Sequence, residues 1–192
     1  EAALGQNPSF LPAHQKLLKQ FRDIADATPG AQRVQWLEKA GISAKNILRI
    51  DPENKEAKFV VQQVVIESWL SGQQVNDPLK INETIDALRT IQTEQPDAPE
   101  VPYTMARAMA QQGFEAFRRG EKAETSRLWD EAQAVMKAAA DAHPEDGRFL
   151  LRQAQLTVGI GPRFDRMVDR DEAKAKVMSK ELADAAGEIA MK

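Results

Sequence analysis

Four Xaa-Pro pairs, Asn7-Pro8, Asp51-Pro52, Gln95-Pro96 and His143-Pro144, recur at intervals of 44, 44 and 48 residues in a chain of 192. A proline pushes the residue before it away from the right-handed helical region, so each pair stops a helix. The same proline suits the first turn of the next helix, where its missing N–H costs nothing. A stop signal returning at a near-fixed interval is the mark of a tandem array. It divides the chain into repeats at about 8–51, 52–95 and 96–143, with a capping pair at 144–192, all within one helical-repeat domain spanning 1–192.

Each interval reads as two helices. The first gives 9–27 and 31–50 around Thr28-Pro29-Gly30, with stripes Leu17, Phe21, Ile24 and Trp36, Leu37, Ala40, Ala44, Ile47, Leu48. The second gives 53–70 and 79–94 around a break from Ser71-Gly72 to Asp77-Pro78, with stripes Val61, Val64, Val65, Trp69 and Ile81, Ile85, Leu88, Ile91. The third gives 99–118 and 121–142 around Gly120, with Tyr103, Met105, Met109, Phe114, Phe117 and then Leu128, Ala132, Val135, Met136, Ala139. Spacings of three and four put each set on one side of a helix. The β-branched run at 59–70 is long and has helical flanks, so it is read as helix. The tail gives a helix over 145–158, a break at Gly159-Ile160-Gly161-Pro162, and a thin alanine-rich capping helix over 169–190.

Composition narrows the function. Charged residues make up 29% and the net charge is only −3, with residues 51–100 carrying 4 Lys/Arg against 10 Asp/Glu. No basic stripe is present to follow a phosphate backbone, so nucleic acid is not expected as a partner. No apolar run approaches the ~20 residues of a membrane span. The absence of cysteine excludes disulfides, thiolate metal sites and a cysteine nucleophile, and suits a bacterial cytoplasm or periplasm alike. A start at Glu1 in place of Met reads as a processed form or an excised piece, and leans the location toward export.

At the repeat ends the chain resembles the tetratricopeptide repeat family. In LWDEAQAVMKAAADAHPED, residues 128–146, Asp130-Glu131-Ala132 stands where the family has the same tripeptide, Ala139 where it has a second alanine and Pro144 where it has its closing proline. Leu48, Ile50, Asp51 and Pro52 give a second match, and Ala106 fits the small position of a first helix. The chain departs from the pattern in its longer interval, in Gln62 at a small position and in Thr84 at an alanine position. The resemblance implies an all-α, right-handed solenoid of antiparallel helix pairs, about eight helices in all. It also implies which first-helix residues line the inner face: Gln15, Lys19 and Arg22; Phe59, Gln63 and Glu67; Tyr103, Arg107 and Gln111; Arg148 and Gln155.

Chemistry is sparse elsewhere. His14 and His143 lie outside any metal-binding spacing and are read as exposed or capping residues. Gly159-Ile160-Gly161 lacks the strand and further glycine of a phosphate loop. Asp130-Glu131 and Asp171-Glu172 are read as helix-start acids that favour the macrodipole. Trp36, Trp69 and Trp129 sit on apolar stripes and are assigned to the core. The expected function is therefore non-catalytic, with no cofactor and no metal: a protein-interaction scaffold that holds a protein or peptide segment. Lys19, Arg22 and Arg107 would bond acidic or backbone groups, Phe59 and Tyr103 would act as apolar anchors, and Gln63, Gln111 and Arg148 complete the surface. The competing expectations are self-association into a homo-oligomer, a regulatory domain of a larger parent protein, and an enzyme of a kind that needs no recognisable motif.

Overall fold

The seams at Pro52, Pro96 and Pro144 fall where helices end. The computed structural model describes residues 10–72 and 78–167, and among them it contains seven helices and no strand. These are α1 (Leu11–Ala27), α2 (Ala31–Ile50), α3 (Lys55–Leu70), α4 (Pro78–Glu94), α5 (Glu100–Arg118), α6 (Lys122–Ala142) and α7 (Gly147–Met167). No described helix is long and apolar enough to cross a membrane. The expected capping helix at 169–190, the Pro8 seam and most of the 71–78 break lie outside the described residues.

Two compact units divide the chain between Glu94 and Gln95, at the Gln95-Pro96 seam. In the first, α1 packs on α2, α2 on α3 and α3 on α4. In the second, α5 packs on α6, α6 on α7, and α5 also on α7. Short turns make these neighbours. Gly30 (φ 68°) and Gly120 (φ 79°) take the left-handed backbone that a side chain would resist, letting α1 return as α2 and α5 as α6. After Asp51-Pro52, the Asn54 side chain accepts from the Ala57 N–H at 3.1 Å and caps α3.

The cores follow most of the expected stripes. Leu37, Ala40, Ala44 and Ile47 are buried on α2, and Ile81, Ile85, Leu88 and Ile91 on α4. Met105, Met109 and Phe114 are buried on α5, and Leu128, Trp129, Ala132, Met136 and Ala139 on α6. On α1 the phase differs. His14, Leu18 and Ala25 are the buried residues, while Leu17 and Phe21 are half-buried and Ile24 is exposed. His14 thus belongs to the core, contrary to its reading as an exposed or capping residue. Asp130-Glu131 lies in the middle of α6, not at its start, and Glu131 serves instead as an ion-pair partner of Arg127.

The tail corrects another expectation. No break occurs at 159–162: α7 runs through Pro162 to Met167. Pro162 removes the bond that the Val158 carbonyl would accept, but Val158 is 48% exposed, where water can take that carbonyl. Beyond the proline, Phe164 is fully buried. Its ring stacks on Trp129, with centroids 4.7 Å apart and planes 5° apart, and meets Phe114 at 4.4 Å. Gly113 leaves the space for that ring, since a Cβ there would stand 2.8 Å from Phe164 Cε1. Burying a phenylalanine side chain is worth roughly 1.5–3 kcal/mol, comparable to the ~3 kcal/mol cost of an internal proline.

Candidate functional site

In the second unit, helical spacing puts Tyr103, Arg107 and Gln111 on one side of α5, four residues apart. The same arithmetic puts Arg148, Arg152 and Gln155 on one side of α7. The packing of α5 on α7 brings the two rows together. The Arg152 guanidinium carbon lies 5.1 Å from the centroid of the Tyr103 ring, and that of Arg107 lies 5.6 Å from it. Two cations over one aromatic ring is an arrangement worth about 0.5–1 kcal/mol per contact at exposed sites.

Arg152 is the hub of this face. Its Nη2 donates to Glu100 Oε1 at 2.8 Å, across from α7 to the first residue of α5. Its Nη1 donates to Gln155 Oε1 at 2.7 Å. One turn earlier, Arg148 donates to both Asp146 carboxylate oxygens and, at 3.5 Å, to the Asp97 carbonyl. Hydrogen bonds from Arg148 hold the Asp146 carboxyl below its ordinary value of 3.8. Next to this row, His143 closes α6, stacks on the buried Phe149 ring at 4.4 Å and points Nδ1 at Asp97, 3.6 Å away. Tyr103, Arg107 and Gln111 are half-buried and Arg148 is exposed, so the face is open to solvent at its edges and firm at its centre.

The first unit is built differently. Lys19 is exposed on α1. Arg22 donates to Glu56 at 2.7 Å, and its guanidinium carbon is 5.9 Å from the Phe59 ring centroid. Phe59 is 4% exposed and Gln63 7%, so neither can serve as a surface anchor as the aligned spacing implied. Their helix is buried on more than one side, because α2 and α4 both pack on α3. Glu67 is buried too, and Arg33 donates to it at 3.0 Å from the start of α2. Burial pulls the Arg33 pKa down, but the charges and hydrogen bonds of Glu67 and Asp26 outweigh it and leave it raised.

Arg152 was missing from the expected site, though the sequence held a signal for it: it stands four residues after Arg148 and three before Gln155. Among the described residues, no three His, Asp or Glu side chains gather as a metal cluster. No protein-family model, no curated protein and no solved structure matches the chain.

Proposed function

We propose that the chain is a non-catalytic interaction scaffold whose α5–α7 face holds a segment of a partner protein, and that its helices stack as a right-handed, tetratricopeptide-like solenoid of antiparallel pairs. The observation that carries this reading is Tyr103 under the Arg107 and Arg152 guanidiniums, an aromatic–arginine cluster formed jointly by two helices and left accessible at its rim. Tyrosine and arginine, with tryptophan, are enriched among the side chains that dominate protein interfaces. Lys19 and Arg22 remain candidates for a second contact on α1, with buried Phe59 beneath Arg22, whereas Gln63 is withdrawn from the surface.

The test compares the intact chain with a Tyr103→Ala/Arg107→Ala variant in pull-downs from the source cell. The variant is expected to lose specific partners while circular dichroism and melting temperature stay close to those of the parent. Capture of the same proteins by both would overturn the assignment of this face. A second reading, self-association, is favoured by Leu151 and Val158, 46% and 48% exposed and seven residues apart on one side of α7. A solution mass that rises with concentration and reverts in Leu151→Gln supports that reading over the first.

A further inference from the structure

Glu100 occupies the place on Arg152 that an incoming carboxylate would take. We infer that it is a built-in competitor, so that the α5–α7 face takes an acidic peptide and does so only by displacing Glu100. The inference rests on the assignment of this face as the binding surface and adds the partner's chemistry and its control.

Three observations support it. First, Arg152 is held ready by contacts that leave its outer edge accessible. Arg107 and Arg152 lie over Tyr103, and the Arg152 side chain keeps 30% of its surface exposed. A guanidinium fork offers paired donors matched to a carboxylate, so it is the group that such a partner would engage. Second, the acids on this face are already committed. Asp146 receives Arg148 through both oxygens, and Glu100 receives Arg152. Glu100 thus balances Arg152 and Asp146 balances Arg148, and removing Glu100 opens the Arg152 charge to a ligand. Third, Glu100 sits in the first turn of α5, where the backbone N–H groups favour negative charge. A carboxylate brought by another chain would gain from the same field. Glu100 is itself 34% exposed at the side chain, so its displacement needs no opening of the core.

The experiment measures binding of a fluorescein-labelled hexaglutamate peptide to the intact chain by anisotropy at low salt, with a hexalysine peptide as control. Glu100→Gln is expected to bind hexaglutamate about fivefold more tightly than the parent, a competition of about 1 kcal/mol. Adding Arg152→Gln to that variant is expected to remove the gain. Should Glu100→Gln fail to fold, Glu100→Asp keeps the charge but draws the carboxylate back by one methylene, and a smaller gain is expected. Equal or weaker binding by the folded Glu100 variants, or a gain that survives Arg152→Gln, overturns the inference. Such a result leaves the binding face itself standing if Tyr103→Ala/Arg107→Ala still loses its pulled-down partners, so the two failures are distinguishable.

Discussion

Arg33 donates to Glu67 across 3.0 Å, from the first turns of α2 to the last turns of α3, and the carboxylate is the buried member of the pair. The attraction in such a setting matters less than the cost of taking the charge from water, so removing one partner does more harm than the pair does good. Arg33→Met takes that guanidinium away from a buried acid and is expected to cost about 2–3 kcal/mol, somewhat under the range for a fully buried pair because Arg33 is part-exposed. Urea denaturation checks it. The double variant Arg33→Met/Glu67→Gln should recover part of the loss, and failure to recover any would mean that the pair is not the source.

Gly113 and Phe164 give a prediction whose sign depends on background. Alanine is a better helix former than glycine by about 1 kcal/mol. A Cβ at 113, however, would meet the Phe164 ring at 2.8 Å, and overpacking costs about 1–3 kcal/mol. Gly113→Ala should therefore lower the melting temperature of the parent chain, yet raise it in a Phe164→Ala background. The same sign in both backgrounds would contradict the packing described for this ring.

Phe59 separates floor from surface. As a core residue it should cost about 3 kcal/mol or more on replacement by alanine. An exposed anchor would instead leave stability almost unchanged while affecting partner capture. A melting curve decides between them, and the structure expects the large loss.

The Arg148 hydrogen bonds make a pH-dependent contribution of definite sign. They hold the Asp146 carboxyl below 3.8, so its folded value lies beneath its unfolded one. Stability from this contact is present in full above the unfolded value, about pH 4, and is lost as pH falls through the folded value. Titration followed at the Asp146 carboxyl carbon should show a midpoint below 3.8 in the parent and a return toward 3.8 in Arg148→Gln. An unchanged midpoint in the variant would remove Arg148 as the cause.

The helices were legible in the sequence because their stops are local. Asp51-Pro52, Gln95-Pro96 and Gly120 each act within a residue or two, and the helices end beside them. Stripes such as Ile81, Ile85, Leu88 and Ile91 were equally plain, since one apolar side leaves one phase. Phe59 and Gln63 were misplaced because a repeat alignment gives position along a helix, whereas burial depends on what lies across from it, and α3 is covered by neighbours on two sides. Pro162 misled for a related reason. Its local cost is real, but the ring that offsets it is two residues further on and finds its partners, Phe114 and Trp129, on other helices. Arg152 shares the side of α7 that carries Arg148 and Gln155, and its importance comes from Tyr103 and Glu100 on another helix, which no local spacing shows.

The continuation of α7 past Pro162 has a consequence for how that end of the helix comes apart. With one rung of the backbone ladder missing, the end of α7 is tethered by the Phe164 plug and by Arg163 lying over the Phe114 ring at 4.6 Å. Deuterium uptake there should consequently track the seating of Phe164, exchanging in a burst whenever the plug slips while amides before Val158 stay closed.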